Sequence, residues 1–152
     1  MTTVYRYRKD RHFAQPPETI WPFVADTARL NEIVGGPVYR VDERIDGQGR
    51  TTRLGTAKAG PMQVRWQERF GEWQENKWLT QERHFKNGPF RHFKFHVRHP
   101  DGAGSKTIFS AEVECVGALG VMARLSGRLN REFDKRIAAI ESLVTAAQRR
   151  AP

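Results

Sequence analysis

Met62-Gln63-Val64-Arg65-Trp66-Gln67-Glu68-Arg69-Phe70 alternates without a break. Val64, Trp66, Glu68 and Phe70 fall on one side, and Gln63, Arg65, Gln67 and Arg69 on the other. Period two is the pattern of a strand with one dry face and one wet face. Glu68 is the charged member of the dry set, so the pattern aims a carboxylate into an apolar layer.

The same alternation runs outward in both directions. Upstream, Tyr39, Val41 and Ile45 oppose Arg40, Asp42 and Arg44, and Asp46-Gly47-Gln48-Gly49 turns the chain into a weaker strand over Arg50–Ala59. Gly60-Pro61 turns it again. Downstream, a loop near Gln74-Glu75-Asn76 leads to a strand over Trp78–Phe85, and Asn87-Gly88 predicts a two-residue hairpin turn. Phe93, Phe95 and Val97 then oppose His92, Lys94, His96 and Arg98. After Asp101-Gly102-Ala103-Gly104, Thr107, Phe109, Ala111, Val113 and Cys115 alternate with Ile108, Ser110, Glu112 and Glu114. Short turns between successive strands make an antiparallel meander. Val4–Phe13, with Tyr5, Tyr7 and Phe13 on one parity, supplies a seventh strand.

Two helical stretches complete the chain. Pro16-Pro17-Glu18 opens a short helix carrying Ile20, Trp21, Phe23 and Val24. Asp26-Thr27 ends it and caps a second, with Leu30, Ile33 and Val34, which Gly35-Gly36-Pro37 stops. From about Leu119 to Arg149, Met122, Leu125, Leu129, Phe133, Ile137, Ile140 and Val144 step by three or four, an amphipathic stripe. Some 30 residues at 1.5 Å each predict a helix of ~45 Å, long enough to cross the sheet. The fold class is α+β: a seven-stranded curved antiparallel sheet wrapped around a long C-terminal helix, with two short helices after the first strand.

The chain has 152 residues, a single-domain length, so one domain over residues 1–152 is expected. One cysteine excludes an internal disulfide framework, and its place among apolar neighbours makes Cys115 a buried thiol rather than a nucleophile. No apolar segment of the N-terminus reads as a signal peptide and none is long enough to span a bilayer, so a cytoplasmic protein is expected. The net charge of +9 raises the prior for an anionic partner. In Arg91-His92-Phe93-Lys94-Phe95-His96-Val97-Arg98, however, bases and aromatics fall on opposite faces. A stacking platform for single-stranded nucleic acid needs them on one face, so nucleic acid is not an expected partner.

The order of elements, with Ala14-Gln15-Pro16-Pro17-Glu18-Thr19-Ile20-Trp21 opening the first helix, Phe23-Val24-Ala25-Asp26-Thr27 and Arg29-Leu30-Asn31 after it, Gly35-Gly36-Pro37, Trp66-Gln67-Glu68 and Asn87-Gly88-Pro89, resembles the START-like, or Bet v 1-like (SRPBCC), superfamily. Its polyketide cyclase/dehydrase-like and lipid-transfer-like members are the nearest in pattern. Asp26-Thr27-x-Arg29-Leu30-Asn31 resembles one bacterial branch, in which such a domain can precede a catalytic module such as a nucleotide cyclase. The resemblance covers nearly the whole chain. It implies a helix-grip fold and a cavity for an apolar or amphipathic small molecule, which different members bind, transfer, cyclise, dehydrate or hydrolyse. Fold alone does not choose among these.

On the parity argument the cavity lining is Leu30, Tyr39, Trp66, Glu68, Phe70, Arg83, Phe85, Phe93, Phe95 and Phe109 from sheet and loops, with Met122, Leu125 and Leu129 from the helix as lid. Leu79, Arg83 and Phe85 share a parity, and an odd-sum register sets Glu68 opposite Arg83 and Trp66 opposite Phe85. Glu68 and Arg83 are the candidate catalytic pair. They also read as a structural ion pair or as a ligand-orienting station. His92 and His96 lie four residues apart on one strand, ~13 Å, too far to share an ion, so no metal and no cofactor is expected. Three functions stay open: a binding module for a small apolar or amphipathic molecule, a cyclase/dehydrase-type enzyme using Glu68 and Arg83, and a regulatory domain using its basic surface. A homodimer also stays open.

Overall fold

In the computed structural model, which describes residues 1–69, 71–102 and 106–150, strands β1 (Thr2–His12), β2 (Tyr39–Ile45), β3 (Thr51–Ala59), β4 (Met62–Arg69), β6 (Trp78–Phe85), β7 (Phe90–Arg98) and β8 (Lys106–Val116) form one antiparallel sheet. Their spatial order is β1-β8-β7-β6-β4-β3-β2, and the two-residue β5 (Trp73–Gln74) pairs with β6 off that path. Helices α1 (Pro17–Ala25) and α2 (Thr27–Ile33) follow β1. The Asp26 carboxylate accepts the Arg29 amide at 3.0 Å, as its capping position predicts. Among the described residues no helix is long and apolar enough to cross a membrane. Phe70 and residues 103–104 of the last predicted turn lie outside the described residues.

The C-terminal helix is not continuous. It divides into α3 (Gly117–Leu125) and α4 (Arg128–Arg150). Ser126 donates its amide to Met122 O, and Gly127 takes a left-handed φ of +68° that a helix cannot continue through. The apolar stepping runs across this break, but the direction of the chain does not. Met122 and Leu125 therefore do not cover the sheet: they are 64% and 76% exposed on α3. The lid begins at Leu129, which packs at the margin of the core, and continues through buried Phe133, Ile137, Ile140 and Val144.

Asn87-Gly88 is a wider turn than predicted. A two-residue loop would set His84 opposite Arg91, whereas His84 pairs with His92 and the strands are separated by residues 86–89. The Asn87 side chain is used elsewhere: it accepts from the Arg65 amide at 2.8 Å and donates to Gln63 O at 2.7 Å, tying the turn to β4.

The core lies between α4, α1 and the β1-β8-β7 side of the sheet. Phe133 of α4 stacks on Tyr5, Tyr7, Phe93 and Phe95 at centroid distances of 5.0–6.3 Å. At one end His99, buried, shares a 2.9 Å hydrogen bond between Nδ1 and Thr107 Oγ1. Burial holds its pKa below the ordinary 6.5, against an upward pull from Glu18 and a backbone hydrogen bond at Lys106. Burial likewise lowers His96 and His84. Below about pH 6.5 the unfolded chain takes up protons at these positions that the folded chain refuses, so stability falls with pH until the folded pKa values are reached. Urea unfolding at about pH 7.5 and about pH 5 is expected to show this loss, and His99→Asn, which keeps an amide near Nδ1, is expected to flatten it.

Candidate functional site

The site is built on the half of the inner face that α4 does not close. Glu68 of β4 pairs with Arg83 of β6, and Trp66 with Phe85, the register expected from the alternation. Glu68 is buried, 7% exposed, and Arg83 Nε donates to its Oε1 at 2.9 Å. Arg53, from the facing position on β3, brings Nη1 to 3.8 Å from Glu68 Oε2. The Arg83 guanidinium lies over two rings, 4.9 Å from the Trp66 centroid and 5.1 Å from that of Tyr39. Planar guanidinium on aromatic faces is a favourable, weakly hydrated arrangement for a cation.

Trp66 reaches this position because β3 carries a glycine opposite it. Gly55 pairs with Trp66, and the indole lies where a side chain at 55 would stand: an added Cβ would be 2.0 Å from Trp66 Cε2. Tyr39 and Phe85 meet the indole at 6.0 Å and 5.9 Å. Phe85 in turn meets Phe90 at 6.1 Å, joining this aromatic wall to the core.

Two arginines of the site, Arg53 and Arg136, were not read from the sequence. Arg136 of α4 donates from Nη2 to Asn31 Oδ1 at 2.9 Å. Burial lowers its pKa, and the Arg83 charge pushes the same way. Arg136 lies one residue before buried Ile137, at the margin of the apolar stripe, and helical periodicity alone assigns such a residue to solvent.

The predicted lining thus divides. Trp66, Glu68, Arg83, Tyr39 and Phe85 come together, with Phe93 and Phe95 half-buried beside them. Leu30 and Phe109 are buried in the core. Met122 and Leu125 are outside, Leu129 is marginal, and Phe70 is not described. A recess of about 1160 Å³ also exists on the opposite, outer face, lined by Arg6, Arg8, Lys77, Trp78, Lys94 and Arg98 among others. It is a charged surface groove and has none of the inner face's aromatic wall. Cys115 is a buried free thiol whose pKa burial raises, which keeps it unreactive.

Two substitutions test this geometry. Glu68→Gln removes the anion that faces two guanidiniums and is expected to cost about 2–3 kcal/mol in urea unfolding, less than a fully buried pair because Arg83 retains some solvent. Adding Arg83→Met is expected to recover part of that loss. Gly55→Ala forces the indole aside and is expected to cost about 1–3 kcal/mol with a shifted Trp emission.

No family model and no curated protein matches the chain. Solved structures do match, over nearly its full length. TTHA0849 from Thermus thermophilus superposes with a TM-score of 0.61 at 23% identity, over 94% of this chain and 99% of that one. Ara h 8.0201 superposes at 0.61 and 13% identity, over 95% and 99%. The ZhuI aromatase/cyclase from Streptomyces sp. R1128 does so at 0.61 and 15% identity, over 94% of each chain. With its antiparallel sheet, long C-terminal helix and paired short helices after the first strand, the chain has the same helix-grip fold as these structures, Ara h 8.0201 and the ZhuI aromatase/cyclase among them.

Proposed function

We propose that the chain binds a small amphipathic molecule between the inner face of the sheet and α4, with its apolar body on the aromatic wall and an anionic or carbonyl-rich head on Arg83 and Arg136. The observation that carries this reading is the Arg83 guanidinium, held by buried Glu68 and laid over the Trp66 and Tyr39 rings. Arg136, partly buried on α4, adds a second guanidinium whose charge acts on that of Arg83. Phe85, Phe93 and Phe95 lie on the same face and are only partly buried. An apolar surface with a few convergent polar groups is the usual form of a small-molecule site, and guanidinium is the side chain best suited to a carboxylate or an enolate-like oxygen. Related folds include an aromatase/cyclase, which is consistent with a ligand of this type.

The geometry favours binding over general-base chemistry at Glu68. Its Oε1 accepts from Arg83 Nε at 2.9 Å and lies 3.5 Å from Trp66 Nε1, while Oε2 faces Arg53. Both oxygens are thus turned toward protein groups rather than toward a ligand. The part of Glu68 is to orient Arg83.

Titration with a long-chain carboxylate and with the alcohol of equal chain length tests the proposal through Trp fluorescence. The carboxylate is expected to bind about tenfold more tightly, a difference of about 1.4 kcal/mol. Arg83→Met is expected to remove that preference and keep the apolar contribution, and Trp66→Phe to remove most of the signal. No response to either amphiphile, together with no co-purified adduct in native mass spectrometry, overturns the reading.

A further inference from the structure

The outer face of the β6–β7 pair holds a cluster that the proposed ligand site does not use. Glu82 and His84 project to that face two residues apart on β6, and His92 stands directly opposite His84 on β7. His92 Nε2 lies 2.7 Å from Glu82 Oε1, and His84 Nε2 lies 3.8 Å from the same oxygen. The two imidazoles are 4.6 Å apart between centroids. One ligand atom from each of the three residues lies within 4.8 Å of the other two.

These separations suit an ion at the centre. Bonds of about 2.0–2.2 Å to imidazole nitrogen and carboxylate oxygen give tetrahedral edges of about 3.3–3.6 Å. The observed spacings bracket that range, so small side-chain rotations bring the three atoms onto one ion. The backbone need not move, because the three Cα positions are held in adjacent, hydrogen-bonded strands. A second observation is independent of these distances. His84 Nε2 is buried and makes no hydrogen bond, while pointing toward the carboxylate that His92 already bonds. A buried nitrogen left so is costly, and a coordination bond satisfies it.

We propose that Glu82, His84 and His92 form a binding site for a late first-row divalent cation, Zn²⁺ best of the class, with the remaining coordination position open to solvent. Two imidazoles and one carboxylate select borderline ions over Mg²⁺ and Ca²⁺, which demand six or more oxygens. Lys94 stands opposite Glu82 on β7, and Lys86 and Arg69 lie near His84. These cations oppose a second positive charge and place the affinity in the micromolar rather than the nanomolar range. The nearest alternative, His96, takes no part: its Nδ1 is 2.8 Å from Thr80 Oγ1 and it lies farther along β7.

The experiment is calorimetric titration of tag-free, chelator-stripped protein with Zn²⁺, repeated with Co²⁺ as a visible-absorption probe. The expected result is one ion per chain, with a tetrahedral-type Co²⁺ spectrum and no competition from Mg²⁺ at about 1 mM. His84→Gln and His92→Gln are each expected to weaken binding about tenfold or more, and His96→Gln to leave it unchanged. Circular dichroism confirms that each variant is folded, and either histidine variant suffices if the other is not. Absence of saturable binding up to about 1 mM Zn²⁺, or binding indifferent to both histidine substitutions, overturns the proposal. Neither result bears on the inner-face ligand, because the readout is the metal itself.

Discussion

Everything on the inner face depends on where α4 is fastened, and it is fastened along β1. Tyr5 donates its hydroxyl to Asn130, Tyr7 to Asp134 at 2.8 Å, Lys9 pairs with Asp134 at 2.7 Å, and Arg11 with Glu141 at 2.7 Å. Alternate residues of the strand thus meet the helix from Asn130 to Glu141, with Tyr7 and Lys9 sharing Asp134. The Lys9 and Tyr7 hydrogen bonds hold the Asp134 carboxyl below its usual pKa, while burial and Asp134 push the Tyr7 hydroxyl up. Polar rungs of this exposure contribute ~0–1 kcal/mol each. Phe133, Ile137, Ile140 and Val144, all buried, contribute about 1.5–3 kcal/mol apiece. Apolar burial therefore supplies the strength of the seam, and the rungs fix its register.

Fastening the helix at one edge has a cost and a use. The seam closes β1, β8 and β7 over a packed core, and leaves the inner face of β6, β4, β3 and β2 less covered. Aromatic surface left partly open would be a liability if it were wholly apolar. Here it is interrupted by a guanidinium stacked on two rings and anchored to a buried carboxylate. Gly55 makes this possible by yielding its side-chain space to Trp66. Local β-propensity is sacrificed at one position so that the indole can form the floor on which Arg83 rests.

How far the sequence discloses this differs from residue to residue. The unbroken alternation of Val64, Trp66 and Glu68 assigns faces, and the register of Glu68 with Arg83 follows from loop length and parity. Ser126-Gly127 is a legible stop signal, but the apolar spacing on both sides continues through it, and a period of 3.6 carries no information about where the axis changes direction. Met122 and Leu125 are misplaced for that reason. His84 and His92 are missed differently. Their proximity depends on the exact stagger of β6 against β7, and one residue of slippage in the turn at Asn87-Gly88 would put Arg91 opposite His84 instead. Arg136 depends on the roll of α4, which the β1 seam determines and helical spacing does not.

The two faces of β6 and β7 are not independent, since period two obliges one strand pair to serve both. Arg83 points inward between Glu82 and His84, which point outward, and Phe93 points inward beside His92. A bond drawing His84 toward His92 acts across the same strand pair that carries Arg83 opposite Phe93. Side chains on opposite faces share Cα atoms whose spacing the ladder sets, so stiffening the outer corner restricts the spread of β6 from β7 beneath the aromatic wall. The half-buried rings Phe85, Phe93 and Phe95 all belong to the strand pair that the outer triad spans.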